Sequence, residues 1–306
     1  MAGWLVGEGE CNPAGQCRVC PGMTQRLVGL SIAFAILTLL FWAVEFLWPS
    51  IPGQRRLRKG WWTDVVYWFF TPLVSKAISQ LAVLVALVPL LLLLGRSLDK
   101  EVIQAGHGPV LAMPAWLQAV VIVVLGDFIG YWTHRWFHTR RLWKFHAIHH
   151  SSKELDWLSS VRLHPVNDIV TRVFQAVPFV LLGFSPVVVA AYIPFLTVYS
   201  IFIHANVPWT FGPLRYVVAS PAFHRWHHTK EDEAIDMNFA GLLPVWDLMF
   251  GTYYLPAHKQ PAEFGVHDDS VPESFWGQMV YPFRKGHPPV QGSGTETMLA
   301  DGKTAR

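Results

Sequence analysis

Apolar residues fall along this chain in long unbroken blocks separated by polar stretches, and not in the short alternations that mark half-buried strands. The block from Leu27 to Trp48 is long enough to cross the roughly 30 Å hydrocarbon core of a bilayer as one helix, with aromatic residues and Pro49 at its far end. A second block runs from Val65 to Leu94, strongest from Leu81, and a third from Trp116 to Trp132. The stretch from Ile169 to His204 is too long for one crossing and is interrupted at Gly183, Ser185 and Pro186, which predicts a helical hairpin, crossing or re-entrant. From about Val207 the chain is too polar to span. The pattern predicts an all-α integral membrane bundle of four to five helices, the last pair a hairpin, with a polar helical cap.

Composition agrees, because 52% of the 306 residues are hydrophobic and only 15% are charged. A soluble enzyme is excluded on that balance. Arg55, Arg56, Arg58 and Lys59 follow the first block, and Arg135, Arg140, Arg141 and Lys144 follow the third. Basic short loops mark the cytoplasmic side, so the N-terminus and the loop holding Arg96, Asp99, Lys100 and Glu101 are expected outside, and the cap inside. A bacterial inner membrane and an endoplasmic reticulum membrane are both compatible. The formal net charge of +3 is explained by the same loop asymmetry and gives no ground for nucleic-acid binding. The first apolar block starts too late for a signal peptide and lacks a small-residue cleavage site, so it reads as a retained anchor. Cys11, Cys17 and Cys20 sit in a Gly/Pro-rich tail over 1–26 that is expected to be mobile, and the polar segment 257–306 is expected to be largely disordered.

The chemistry lies in the histidines. Ten fall between His134 and His228, eight of them in three boxes: His134-x3-His138, His146-x2-His149-His150 and His224-x2-His227-His228. Residues three and four apart share a helix face, so each box can aim its imidazoles at one point. With the outlying His164 and His204 the imidazoles exceed the three or four ligands of a single zinc site, which points to two metal ions in one enclosure. A donor set of neutral imidazoles suits iron, zinc or copper and disfavours magnesium or calcium. No His is followed by Glu as a zinc peptidase requires, and G-x-S-x-G, P-loop and dinucleotide signatures are missing. Iron acting with oxygen on an apolar chain fits these observations best. A zinc-dependent membrane lipid hydrolase or isomerase using the same histidine cage is the alternative.

Asp127, Tyr131, His134 and His138 step by four, three and four, one stripe of a helix. Asp127, ionisable within a span, is therefore a functional candidate, with an imidazole N–H as its expected partner. Tyr131 shares the stripe, and Asn238 and Asp247 are candidates to orient further ligands. Arg135 and Arg225, in matching His-Arg-Trp contexts, are candidates to hold a lipid phosphate or carboxylate or to snorkel toward head groups. Trp132, Trp136, Phe137, Trp143 and Trp226 are expected around the boxes, as substrate lining or as an interfacial belt.

These runs, together with Arg162-x-His164-Pro165, Pro221-x2-His224-Arg225-x-His227-His228 and Trp246-Asp247-x2-Phe250-Gly251-Thr252-Tyr253, resemble the fatty acid hydroxylase/sterol desaturase superfamily over about residues 60 to 256. The resemblance implies a first membrane helix and basic loop at 27–60 followed by a catalytic membrane domain at 61–256. It implies a non-haem di-iron oxygenase that hydroxylates, or less often desaturates, a lipid such as a fatty acyl chain or sterol. Carried over, His134, His138, His146, His149, His150, His224, His227 and His228 are expected ligands, and His164 and His204 match positions that the family also tends to fill. The chain has no His-Pro-Gly-Gly haem segment and no dinucleotide fingerprint. Electrons are therefore expected from an external donor, a ferredoxin, a cytochrome b5-like protein or a reductase, docked on basic loops.

Overall fold

A computed structural model describes residues 10–11, 17–18, 22–95, 108–267 and 269–284. The outer loop at 96–101, the mobility expected of most of segment 1–26 and the disorder expected beyond 284 lie outside the described residues. Apart from a two-residue antiparallel pairing of β1 (Glu10–Cys11) with β2 (Cys17–Arg18), the elements are helical. They are α1 (Met23–Leu47), α2 (Trp61–Phe70), α3 (Lys76–Leu93), α4 (Ala115–Phe137), α5 (Arg140–His150), α6 (Pro165–Leu182), α7 (Pro186–Ile203), α8 (Pro221–His227), α9 (Val245–Phe250) and α10 (Phe275–Val280). A π-turn at Thr71–Ser75, where Pro72 removes a backbone donor, joins α2 and α3 into one apolar rod, Trp61–Leu93.

That rod, α1, α4, α6 and α7 are each long and apolar enough to cross a membrane, and the protein is an integral membrane protein. Leu39, Val85, Leu93 and Val187 point outward with most of their surface exposed, as lipid-facing residues must. The hairpin is two separate helices, since Gly183 at φ 80° ends α6 in the left-handed region and Ser185-Pro186 starts α7. Close approach of α4 and α7 depends on Gly126, where a Cβ would lie 2.0 Å from the Tyr192 hydroxyl. Around that contact Ile122, Phe179, Phe184, Val188 and Tyr192 form one apolar core.

A second core ties α1 to the polar end of the bundle. Phe41 stacks on Trp157 with centroids 5.5 Å apart, and Trp68 and Ile201 complete the packing. Beside it Glu45 accepts hydrogen bonds from the backbone N–H groups of Trp157 and Asn206, at 3.1 and 2.9 Å. Arg58, one of the basic-loop residues, is not free at the membrane surface. Its guanidinium is buried between Asp156 (2.8 and 2.6 Å) and Asp64 (2.7 Å), and Asp64 also takes two hydrogen bonds from Arg162 (2.6 and 3.0 Å). Four alternating buried charges thus neutralise one another, which holds the Arg58 pKa above its usual value despite burial.

Residues 257–284, placed by the sequence at the head of a polar tail, pack against the body. Phe275 of α10 is buried edge-on against Tyr67 and Phe70 at 4.9 Å from each, and Ser270 shares a hydrogen bond with the Tyr281 hydroxyl. Isolated aromatic residues in a polar context carry no periodicity, so this docking was not visible in the pattern.

Candidate metal centre

The polar end of the bundle gathers nine of the ten histidines into two groups. His134 on α4, His138 just past its end, His146 and His150 on α5, and His227 on α8 form the first; His149 on α5, His204 at the end of α7, and His224 and His228 of the α8 box form the second. Within each group one ring nitrogen per residue lies within 4.8 Å of all the others. The adjacent pairs His149-His150 and His227-His228 each split between the two groups. Neighbouring residues on a helix point about 100° apart, so each pair straddles the two sites and fixes their relation to one another.

Backbone carbonyls set the tautomers. His134 donates its Nδ1 proton to Phe239 O at 2.7 Å, His227 to Met237 O at 2.8 Å, His204 to Ser200 O at 2.6 Å and His149 to Arg162 O at 3.2 Å. A carbonyl only accepts, so the neutral ring keeps its lone pair on Nε2. Those lone pairs face one another. The Nε2 atoms of His149 and His204 are 3.2 Å apart and those of His134 and His146, whose Nδ1 meets Asn167 Oδ1, 2.9 Å; His224 Nε2 lies 3.1 Å from the Nε2 atoms of both His204 and His228, and the Nδ1 atoms of His224 and His228 are buried with no partner. The buried Nε2 atoms of His138, His150 and His227 have no hydrogen-bond partner at all. Nitrogens bonded at about 2.0–2.1 Å to one ion, at angles of about 90–110°, sit about 2.9–3.4 Å apart. Donor type, tautomer and spacing all fit a bound divalent transition metal in each group, and the neighbouring lone pairs repel without one.

Burial makes the same demand. It is the largest cause that holds the pKa values of His146, His149, His150, His224, His227 and His228 well below 6.5, with neighbouring imidazoles adding to it, and it pushes His204 down to about 4. Neutral imidazole is the form that binds metal. Aromatic rings close the layer: Trp143 lies 5.0 and 5.2 Å from the rings of His138 and His150, and Phe239 lies 5.8, 5.0 and 5.7 Å from those of His134, His138 and His227. Phe137 packs on His146, whereas Trp132 and Trp136 point outward and Trp226 packs on Tyr254, away from both groups.

His164 is not brought to either group. It caps the start of α6, its Nδ1 accepting the Val166 N–H at 3.2 Å, which leaves Nε2 as the donor to Met279 O at 3.3 Å. Both nitrogens are engaged, and His164-Pro165 is a helix start.

Asp127 does not meet an imidazole either. Its carboxylate accepts the backbone N–H groups of Leu242 and Leu243 at 2.9 and 2.8 Å. Asp247 accepts those of Phe239 and Ala240 at 2.7 and 2.9 Å, and Asn238 bonds Phe223 O and both backbone groups of Tyr254. All three side chains pin one loop, 236–243, whose Met237 and Phe239 carbonyls orient His227 and His134. Asp236 and Asn238 hold left-handed φ values of 58° and 61° there, a conformation that Asp and Asn tolerate better than most residues. Tyr131 belongs to the same brace through a directed chain. Arg135 Nη1 donates to the Tyr131 hydroxyl (3.1 Å), which donates to Thr252 Oγ1 (3.0 Å), which donates to Asp247 (2.7 Å).

Sequence reasoning missed the partners of two rings. Asp236 meets His138 Nδ1 at 3.0 Å and Asn167 meets His146 Nδ1 at 2.8 Å. Neither stands at a helical spacing from the ring it serves. Asp64, which grips Arg162 and so the carbonyl behind His149, carried a usable signal, since it is an ionisable residue at the edge of an apolar block. Arg225 is fully buried, donates to Leu155 O at 3.0 Å and covers the Phe264 ring at 4.7 Å, so it neither snorkels nor reaches a lipid head group. Burial lowers its pKa to about 10.

Comparison with known proteins agrees with this geometry. Residues 119–252 match the family described as fatty acid hydroxylase. The chain is 31% identical over 189 residues to the ornithine lipid hydroxylase OlsE of Rhizobium tropici, 61% of this chain and 56% of that protein. It is 36% identical over 134 residues to the alkylglycerol monooxygenase of Danio rerio, 43% of this chain and 30% of the relative. A very-long-chain aldehyde decarbonylase, GL1-6 of Oryza sativa subsp. indica, is 32% identical over 139 residues, 41% of this chain and 21% of the relative. The chain thus spans at most about half the length of these relatives. No solved structure matches it.

Proposed function

Residues 119–252 form a domain of the fatty acid hydroxylase/sterol desaturase superfamily, and on that premise we propose that the protein is a membrane-bound non-haem di-iron oxygenase that hydroxylates a lipid. The observation that carries the reading is the pairs of facing Nε2 lone pairs, His134 with His146 at 2.9 Å and His149 with His204 at 3.2 Å, with the outward nitrogens of His134, His149, His204 and His227 fixed as donors. His134, His138, His146, His150 and His227 would hold one iron; His149, His204, His224 and His228 the other. Bound iron supplies reductive activation of dioxygen and the oxidising power to take hydrogen from a C–H bond.

The chain's own residues supply the rest. Loop 236–243 and Arg162 keep the imidazoles neutral and aimed, and the aromatic cover of Phe239, Trp143 and Phe137 keeps water from the oxidising site. Hydroxylation consumes one dioxygen, two electrons and two protons per C–H bond and releases one water. The two electrons come from an external one-electron carrier, a ferredoxin or a cytochrome b5-like protein, reaching the site from the cytoplasmic face of a bacterial inner membrane or the endoplasmic reticulum. An ornithine lipid hydroxylase and alkylglycerol monooxygenases among the relatives support a substrate with an alkyl or acyl chain.

The test is lipid mass spectrometry of membranes incubated with iron-loaded protein, a reductant and dioxygen. A gain of one oxygen that needs both air and reductant is expected. Turnover that continues without air or reductant, with zinc bound in place of iron, would mean the hydrolase or isomerase chemistry open to the same cage.

A further inference from the structure

The two histidine groups differ in what stands behind their rings. In the first, four of the five rings are anchored through Nδ1: His134 and His227 on the Phe239 and Met237 carbonyls, His146 on Asn167 Oδ1 at 2.8 Å, and His138 on the Asp236 carboxylate at 3.0 Å. In the second, His149 and His204 donate to the Arg162 and Ser200 carbonyls, and the buried Nδ1 atoms of His224 and His228 have no partner. Among the described residues, Asp236 is thus the one carboxylate hydrogen-bonded to any of the nine rings. Asp127 and Asp247 turn their oxygens to backbone N–H groups of the loop instead.

The charge of Asp236 reaches its ring undiminished. Its side chain is only 23% exposed, so water screens it weakly, and no Arg or Lys among the described residues forms an ion pair with it. A carboxylate that accepts the Nδ1 proton makes the ring a stronger electron donor at Nε2 than a ring held by a neutral carbonyl. Behind the second group the charges cancel among themselves, since Asp64 grips Arg162, and Glu45 and Asp156 oppose the charge of Arg225. Ferric iron carries one more positive charge than ferrous, so an anion behind one ligand favours it. We propose that Asp236 makes the two iron positions unequal, the iron of the first group becoming ferric more readily and the iron of the second remaining ferrous. Each iron gains one electron on reduction, and Asp236 exchanges no proton in the step. Of two electrons delivered singly by the external carrier, the first then reduces the second-group iron and the next the first-group iron. Asp236 acts through His138 and touches no reacting atom.

The inference rests on the two-iron reading given under Proposed function, and its test is a potential, measured apart from turnover. The full-length protein, loaded with Mössbauer-active iron in nanodiscs, is poised at a series of potentials, and ferric and ferrous iron are counted; metal content and lipid oxygenation are measured on the same samples. Two one-electron steps are expected, separated by about tenfold in equilibrium constant, about 59 mV, the scale set by a charged against a neutral hydrogen-bond partner. His149→Ala, left with the first-group iron, should show the lower step alone. Asp236→Asn keeps an acceptor oxygen for His138 and tolerates the left-handed backbone at φ 58°. It should raise the lower step about tenfold and leave the upper one in place, while Asp236→Glu should keep the lower step low. A merely structural role for Asp236 would reduce iron content and leave both potentials where they were. One common potential for both irons, an upper step that survives alone in His149→Ala, or potentials unchanged in Asp236→Asn overturns the proposal, and leaves the oxygenase reading intact if lipid is still oxygenated. Two steps that shift as expected in protein that oxygenates no lipid would refute the oxygenase reading and leave the inequality standing. A chain that takes up zinc and no iron refutes both.

Discussion

His149 and His204 meet nitrogen to nitrogen at 3.2 Å, and each has already given its other ring proton to a backbone carbonyl, Arg162 O and Ser200 O. Neither can hydrogen-bond to the other in the neutral state, so only a cation between them makes the contact favourable. Replacing His149 by alanine should therefore lower bound metal by about one ion per chain and cut lipid oxygenation by at least about 100-fold, beyond the 10–100-fold typical of outer-shell changes. His164→Ala should keep both ions and lose only about 1–3 kcal/mol of stability, the cost of orphaned backbone groups. Metal analysis of the two purified variants separates the cases.

Asp127 acts through the loop it holds. Asp127→Ala strands the buried N–H groups of Leu242 and Leu243, which should cost about 2–5 kcal/mol in thermal unfolding. Because the same loop aims His134 and His227, chelator competition should show metal affinity reduced about 10–100-fold. A residue engaged in proton transfer alone would lower turnover and leave the chelator midpoint where it was.

Asp64 is the shared acid of the buried charge network, contacting both Arg58 and Arg162. Asp64→Asn leaves two buried cations to one remaining carboxylate, Asp156, and is expected to destabilise the protein by about 3–5 kcal/mol. The midpoint of thermal unfolding in detergent, corrected for bound metal, reads this directly. An unchanged midpoint would mean that water enters the network.

The metal-free protein should lose stability on acidification. Burial holds the pKa values of His149, His204 and His224 below the ordinary 6.5, His204 at about 4, so the unfolded chain binds protons first as pH falls. The stability from neutral, buried rings is complete above pH 6.5 and is lost as pH falls below it, the share from His204 being gone by about pH 4. Bound metal competes with the same protons and should move the fall to lower pH. Unfolding temperature measured against pH, with and without chelator, checks both parts.

Much of this arrangement was legible in the sequence because membrane burial and helical spacing are one-dimensional signals. A helix that must cross a bilayer shows its length in an unbroken apolar run, as Leu27 to Trp48 does. The boxes His134/His138 and His224/His228 show their shared face through a spacing of four. What stayed hidden depends on distant segments meeting. Asp127 stands out in the sequence as ionisable within a span, yet which partner it takes depends on a loop more than a hundred residues later that no spacing rule connects to it. His164 matches a family position, whereas the Pro165 after it signals the helix start that the structure shows. The split of His149 from His150 between two metal groups appears only once α5 is set against α7 and α8.

That split bears on how the protein is made. Each group draws on α8, His227 for the first and His224 and His228 for the second, while the remaining ligands come from α4, α5 and the end of α7. Neither site has its full set of donors until all five spans have left the ribosome and the hairpin of α6 and α7 has settled in the bilayer. Neither group could close around a metal ion before His227 or His228, respectively, is in place, and a chain stalled before residue 224 would lack three of the nine grouped histidines.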